Sequence, residues 1–192
     1  MLSEHDMALK EWAVAVMALA SGQTICAVRK GGIHEKRFDV PSRACFLFPT
    51  YLHQSEETIQ PRYRAALEQV LQHQPIDGKL HLRYFAEITD VVPIDAPTRL
   101  DGLAPHVIWT PAYVEQRFRW RPRQPLQLLL LRIYRLLNEV TLDLVPSYNG
   151  CSSWVTLERP VATAGAVAAL GDARYEVERS AVLAAVQRVA VS

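Results

Sequence analysis

Cysteine, glycine and methionine are scarce in this chain of 192 residues, which has 3, 8 and 3 of them. The cysteines, Cys26, Cys45 and Cys151, are odd in number and widely spaced. No C-x-x-C pair or Cys/His cluster occurs, which argues against a disulfide framework and a zinc site. Free thiols suit a reducing compartment, and Glu4 and Asp6 stand where a signal peptide carries positive charge. We therefore expect a cytoplasmic protein without a metal or a cofactor.

Long hydrophobic runs and the common nucleotide loops are also missing. The longest apolar stretches, PLQLLLLRIYRLL and VATAGAVAAL, are shorter than the roughly 20 residues that span a bilayer, so no membrane partner is expected. The glycines form neither G-x-G-x-x-G nor G-x-x-x-x-G-K-[ST]. The acid and acid-x-lysine pattern of restriction-type nucleases is absent as well. With no recognised catalytic motif, the sequence leaves open whether the chain is an enzyme.

Charge is nearly balanced overall but unevenly distributed. The formal net charge of +1 argues against a strong non-specific nucleic-acid binder. However, six arginines and no acidic residue lie between Arg117 and Arg135, whereas Leu136–Glu158 contains three acidic residues and no basic one. This asymmetry is compatible with a basic face that contacts an anion.

Hydrophobic residues make up 49 % of the chain, which is enough to bury a core. Their spacing and the positions of proline and glycine predict about six strands and two or three helices. The predicted strands are KEWAVAVMALA and TICAVRK, joined at Ser21-Gly22, then RACFLFPTY, KLHLRYFAEITDVVP, PLQLLLLRIYRL and CSSWVTLE. The predicted helices are IQPRYRAALEQVLQHQP, TPAYVEQRFRW with Thr110 as its cap, and DARYEVERSAVLAAVQRVA.

The clearest strand is KLHLRYFAEITDVVP, because its side chains alternate. Leu80, Leu82, Tyr84, Ala86 and Ile88 are predicted to face one side of it. The order of elements predicts one α+β domain over residues 1–192, built on a curved mixed sheet with flanking helices. Its core runs from about residue 8 to 158, and a C-terminal helical segment covers about residues 161 to 190.

The first candidate site is RKGGIHEKRF. Its candidate ligand-binding residues are Arg29, Lys30, Gly31, Gly32, His34, Glu35, Lys36 and Arg37. The glycines allow positive φ angles and expose backbone N–H groups, while the basic side chains can hold a phosphate or carboxylate. Alternatively, His34 and Glu35 could transfer protons. An exposed charged hairpin loop is the third interpretation.

The second candidate is RFRWRPR, in which arginines alternate with aromatic residues. Its candidate nucleic-acid surface consists of Arg117, Arg119, Trp120, Arg121 and Arg123. Aromatic rings stack on bases and guanidinium groups bind phosphates, so this composition is typical of a nucleic-acid surface. The alternative is a helix end whose aromatic residues enter the core while its arginines are solvated.

Two further segments contain polar residues near strand ends. FPTYLHQ offers Thr50, Tyr51, His53 and Gln54, which could read a base edge or orient a water molecule. YNGCSSWV offers Cys151, Ser152 and Trp154. Cys151 could act as a nucleophile with a histidine as base, although a free cysteine is more often inert. Tyr51 or Trp154 could supply an aromatic face, while Trp12 and Trp154 also suit a core.

Several of these segments resemble an uncharacterised bacterial family, domain of unknown function 1802. The resemblance is carried by ALKEWAVAVMAL, RKGGIHEKRF, FPTYLHQ and GCSSWV, in this order. It runs from about Ala8 to the C-terminal helix. Relatives are associated with a restriction-endonuclease domain of the Mrr type, which implies a role near DNA restriction or modification. At the level of fold, the order of elements looks like the PUA-like barrels, including ASCH and EVE modules, which bind RNA or modified DNA bases.

Three functions follow as hypotheses. The first is a module that recognises nucleic acid or a modified base and is linked to DNA restriction or modification. The second is a small enzyme that uses His/Glu acid-base chemistry on a nucleotide-like or phosphorylated substrate. The third is an interaction subunit that acts through a partner nuclease. The first requires RKGGIHEKRF, FPTYLHQ and GCSSWV to meet in one cavity.

Overall fold

The computed structural model describes residues 4–30 and 38–187. Within these ranges the chain forms seven β-strands and four α-helices. The strands are β1 (Glu4–Trp12), β2 (Cys26–Arg29), β3 (Ala44–Thr50), β4 (Lys79–Ile94), β5 (Leu126–Asp143), β6 (Trp154–Ala162) and β7 (Val167–Ala168). The helices are α1 (Ala13–Ala20), α2 (Arg64–Gln72), α3 (Pro111–Arg119) and α4 (Asp172–Gln187).

All seven described strands belong to one mixed sheet. Its order is β2-β5-β4-β3-β1-β6, and β7 pairs with β5. β1 and β3 are parallel, whereas the other pairs are antiparallel. The predicted α+β class, with a curved mixed sheet, flanking helices and a C-terminal helix, is confirmed. In the described part of the chain the sheet is open, with β2 and β6 at its ends, and does not close into the small barrel that was the alternative.

The prediction that KEWAVAVMALA is one extended segment is wrong for its second half. The strand ends at Trp12, and Ala13–Ala20 is α1. Six of the eight side chains of α1 are buried, so no polar face reveals a helical period. Val14 packs with the helices on one side, whereas Val16 packs with the sheet cluster on the other. Alanine-rich sequence favours a helix, and here that propensity prevails.

A β-bulge in β4 changes which of its side chains share a face. The register between β4 and β5 shifts between Leu82 and Tyr84. An extra residue in one strand reverses which side chains face the core. Leu82 therefore packs with the cluster around Phe46, whereas Ala86 packs with the cluster around Leu47 on the opposite face. The predicted strand is confirmed, but its apolar residues do not all face one side.

β5 is the central apolar strand that the sequence predicts. Leu128 and Leu130 lie on the face that packs with the helices, and Leu129 and Leu131 lie on the other face of the sheet. The predicted start of α3 is also confirmed, since the backbone N–H of Tyr113 donates to Thr110 Oγ1 at 3.3 Å. None of the helices in residues 4–30 and 38–187 has the length and apolar character needed to cross a membrane.

Candidate functional site

A pocket of about 690 Å³ lies where the parallel strands β1 and β3 end. Trp12 pairs with Thr50 in the last register position, so β1 and β3 both end at the same edge of the sheet. Ligands commonly bind at the carboxyl ends of parallel strands, because the chain diverges there. The end of β2, the start of β4, one side of α3 and the segment Tyr148–Ser153 form most of the other walls.

Residues from all four candidate segments line this pocket. They are Arg29 and Lys30 from the first segment, Arg117 from the second, Thr50, Tyr51 and His53 from the third, and Cys151 and Ser152 from the fourth. These segments are far apart in the sequence. The parallel strands β1 and β3 end side by side, and the ion pair between Arg29 and Glu11 joins the end of β2 to the end of β1.

Two predicted ligand-binding residues are placed elsewhere. Gln54 accepts a hydrogen bond from the backbone N–H of Val14 at 2.9 Å and so satisfies a free donor in the first turn of α1. The indole N–H of Trp154 donates to the Asp39 carbonyl oxygen at 2.9 Å. Its ring stacks on Phe38, with centroids 6.1 Å apart. Neither residue lines the pocket.

The predicted arginine surface divides at Arg117. Arg117 enters the pocket wall, whereas Arg119 is exposed and pairs with Glu115 at 2.6 Å. The guanidinium carbons of Arg117 and Arg121 lie 4.8 and 4.4 Å from the centre of the Trp120 ring. Arg123 is exposed and does not line the pocket. Two cations of this chain therefore already contact the ring that the sequence assigns to base stacking.

The remaining residues of the first candidate segment lie outside the described residues. They are Gly31, Gly32, His34, Glu35, Lys36 and Arg37. Their predicted roles stay predictions.

A buried ion pair forms part of the pocket wall. Arg29 Nη1 lies 3.3 Å from Glu11 Oε2, and only 4 % of the Glu11 side chain is exposed. Glu11 Oε1 accepts the backbone N–H of Trp12 at 2.8 Å. The Arg29 guanidinium also lies over the Phe38 ring, 5.6 Å from its centre. Each partner is thus held by a second contact as well as by the ion pair.

Two lysines and an arginine add positive charge around this pair. Lys10 Nζ donates to the Tyr148 carbonyl oxygen and, at 3.1 Å, to that of Gly150. Lys30 Nζ donates to the Phe118 carbonyl oxygen. Burial lowers the pKa of Lys10, of Lys30 and of Arg117 from their usual values. A lowered pKa means that the charged form is disfavoured there, and a bound anion would offset that cost.

Three aromatic rings form an apolar wall of the pocket. Trp12 meets Trp109 edge to face with centroids 4.9 Å apart, and Tyr113 lies 5.1 Å from Trp109 and 6.1 Å from Trp12. All three side chains line the cavity. The site therefore combines a cationic side with an aromatic one.

The lining residues that were not predicted from the sequence include Lys10, Glu11, Trp109 and Tyr113, and Trp12 was expected in the core. Lys10, Glu11 and Trp12 stand at the end of β1, which the sequence did not separate from α1. A useful signal was present, because charged residues next to tryptophan interrupt an otherwise apolar run. Trp109 and Tyr113 flank the correctly predicted cap of α3 and enter the site only through tertiary packing.

A histidine on the pocket wall bridges two carboxylates. His81 Nδ1 lies 2.6 Å from Glu139 Oε1, and its Nε2 lies 2.9 Å from Asp77 Oδ2. A neutral imidazole donates from one nitrogen only, so the protonated ring alone satisfies both contacts. The hydrogen bond to Glu139, followed by that to Asp77, raises the pKa of His81 above its usual value.

We expect this bridge to make stability depend on pH. A raised folded-state pKa stabilises the protein fully below the unfolded value of about 6.5, and the contribution is lost as pH rises through the folded value. The difference in unfolding midpoint between the unaltered chain and His81→Gln should therefore be largest at mildly acidic pH and shrink as pH rises. Urea titrations at several pH values measure it. His73→Gln, at an exposed histidine on the end of α2, is the control. A difference that grows with pH would contradict the assignment.

Metal ligands are not clustered in the described ranges, where no group of three His, Cys, Asp or Glu side chains could hold an ion.

The profile of the family described as "Domain of unknown function (DUF1802)" matches residues 8–181. The chain belongs to this family. The match covers every described residue that lines the pocket, so the DUF1802 domain contains the whole described site. No curated protein and no solved structure gives a significant match, and the resemblance to PUA-like barrels is not confirmed.

Proposed function

We propose that the pocket of this DUF1802 domain binds nucleic acid, with one base against the aromatic wall and adjacent phosphates on the basic side chains. The observation that carries the proposal is the composition of the described lining. It contains the basic residues Lys10, Arg29, Lys30, Lys79 and Arg117, the aromatic residues Trp12, Phe48, Tyr51, Trp109, Tyr113 and Tyr148, and a single carboxylate, Glu11.

The aromatic side of the pocket suits a base. A volume of about 690 Å³ lies within the range of roughly 300–1,000 Å³ of small-molecule sites, so it is large enough for a nucleotide. Base–aromatic stacking contributes about 1–3 kcal/mol per base and tolerates any sequence. Trp12 is half-buried, and Trp12 and Glu11 both line the pocket, which therefore offers a ring and a hydrogen-bonding group.

Arg117 is the cation best placed for a phosphate. Arg29 is paired with Glu11, Lys79 with Asp143, and Lys30 Nζ donates to a carbonyl oxygen. The guanidinium of Arg117 instead lies on the Trp120 ring, and burial together with the charge of Arg29 lowers its pKa. A phosphate on Arg117 would make charge-assisted hydrogen bonds and relieve this cost.

The proposed link to DNA restriction or modification rests on the family resemblance, and it makes DNA the first ligand to test. A partner nuclease is part of the same proposal. Single-stranded DNA is the best first probe, because its bases are free to enter a pocket without the energy of unpairing.

The proposal predicts that Arg117→Gln weakens binding of a labelled single-stranded oligonucleotide by about tenfold at moderate salt, because one charge-assisted phosphate contact is lost. Fluorescence anisotropy measures the affinity, and its dependence on salt should become less steep for the variant. Arg174→Gln is the matched control, since it removes the same charge from an exposed position on α4 outside the pocket. Equal losses for both variants, or none for either, would contradict the proposal.

A catalytic role on a nucleotide-like substrate is the second candidate, because of the backbone at His53. This residue has φ of 65° in the pocket wall, and non-glycine residues with positive φ occur preferentially at functional sites. Cys151 lines the same cavity. If this candidate holds, turnover of a nucleotide panel should be lost in His53→Asn, because asparagine tolerates the same backbone angle. Binding without turnover would favour the first proposal, and absence of both would favour an interaction subunit.

A further inference from the structure

We infer that Glu11 and Arg29 read the hydrogen-bonding edge of the base in this pocket and that the base they select is guanine. The inference rests on the proposed binding of nucleic acid and adds the identity of the base. Its starting observation is a nearly completely buried carboxylate in the wall of a ligand-sized cavity, next to an aromatic platform. Burying an ionised group is costly, and Arg29 and the Trp12 N–H offset that cost.

The carboxylate of Glu11 is fixed and still has acceptor capacity. Its Oε1 accepts from the Trp12 N–H at 2.8 Å and its Oε2 from Arg29 at 3.3 Å. Each carboxylate oxygen has two lone pairs, so each retains one acceptor position. Glu11 is the single carboxylate among the described residues that line the pocket, so two parallel acceptors are available at one place.

The guanidinium of Arg29 supplies a donor beside these acceptors. Its side chain is 16 % exposed and is held between Glu11 and the Phe38 ring. A guanidinium carries five N–H donors, of which the contact with Glu11 uses one. The wall therefore holds guanidinium donors beside the two oxygens of one carboxylate, and each group is fixed by a second contact.

A donor beside two acceptors is the set of groups that is complementary to guanine among the bases. The Watson–Crick edge of guanine presents the O6 acceptor and then the N1–H and N2–H₂ donors. Adenine and cytosine pair a single amino donor with an unprotonated ring nitrogen, which a carboxylate repels. Thymine has one N–H between two carbonyl oxygens. A site built to accept hydrogen bonds rejects a base that leaves its buried groups unpaired.

The aromatic wall lies at the right place for this reading. Trp12 directly follows Glu11 at the end of β1, and Tyr113 lies 6.1 Å from the Trp12 ring. The charges of Glu11 and Arg29 both affect the pKa of Tyr113, which places its hydroxyl within electrostatic reach of the pair. A base stacked at Trp12 and Tyr113 would lie in the same cavity as the pair.

The test compares single-stranded oligonucleotides of about ten thymidines, of which a central one is replaced by guanine, hypoxanthine, adenine or cytosine. Hypoxanthine differs from guanine only by the missing N2 amino group. We expect the guanine probe to bind the unaltered chain at least about tenfold more tightly than the hypoxanthine probe. In Glu11→Gln this preference should disappear, because an amide offers one acceptor and adds a donor.

The outcomes separate the inference from the proposal on which it rests. Equal affinity for all four central bases would overturn the guanine assignment while nucleic-acid binding stands. No binding of any probe would overturn both. Because Glu11→Gln could fail to fold, the comparison of guanine with hypoxanthine on the unaltered chain decides independently of any variant. A guanine preference that persists in folded Glu11→Gln would assign the reading to other residues and overturn the role of Glu11.

Discussion

Replacing Leu129 by alanine is expected to lower the free energy of unfolding by about 2–5 kcal/mol. Leu129 is 0 % exposed and lies in β5, which pairs with β2 on one side and β4 on the other. It belongs to the buried cluster that also contains Leu9, Leu47 and Ile88 from three other strands. Removing three carbon atoms there loses their transfer free energy and leaves a cavity that paired strands cannot close. Urea-induced unfolding followed by circular dichroism measures the change.

Leu137→Ala is the matched control, because it makes the same substitution in the same strand. The Leu137 side chain is 72 % exposed, so its removal should change the free energy of unfolding by no more than about 0.5 kcal/mol. A loss at Leu137 as large as that at Leu129 would show that the face of β5 carrying Leu137 is covered in solution. It would contradict the exposure of the Leu137 side chain in the structure.

Arg29→Gln should have the second large effect, a loss of about 3 kcal/mol in the free energy of unfolding. The substitution leaves the Glu11 carboxylate buried without its ionic partner, with the Trp12 N–H as its remaining donor among the described contacts. Removing one member of a buried pair costs more than the pair contributes, because an uncompensated charge stays in a medium of low polarity. Chemical denaturation again provides the measurement.

The double variant Glu11→Gln/Arg29→Gln distinguishes this cause from simple loss of packing. Two amides of nearly the same shape remain, and neither is ionised, so much of the lost stability should return. A double variant that is as unstable as the sum of the single variants would show that the two side chains act independently. It would contradict a coupled ion pair in the pocket wall.

Most of the secondary structure was predictable because its signals are local. The cap at Thr110, the prolines around α2 and the apolar character of β5 each identify an element without tertiary information. α1 was not predictable in this way, since a helix that is buried on all sides has no polar face. The bulge in β4 was equally hidden, because a register shift depends on the partner strand.

The site was predictable in part for a related reason. Polar residues at the end of β3 and just after it, such as Thr50 and His53, mark a strand end that the sequence shows clearly. Glu11 was missed because the end of β1 is not visible without the parallel pairing of β1 with β3. Gln54 is polar like its neighbours in the segment, but its amide accepts a hydrogen bond from the Val14 N–H and donates one to the Tyr51 carbonyl oxygen. Side-chain direction, which separates these cases, depends on the folded backbone.

The position of β1 also affects how the protein is made. β1 lies between β3 and β6 in the sheet, yet β6 is synthesised long after β1 and β3. On the ribosome, one edge of β1 therefore stays without its strand partner until Trp154–Ala162 has left the exit tunnel. An open strand edge invites pairing with other chains, so the nascent protein needs shielding during translation, and a chain that stops before β6 is expected to aggregate.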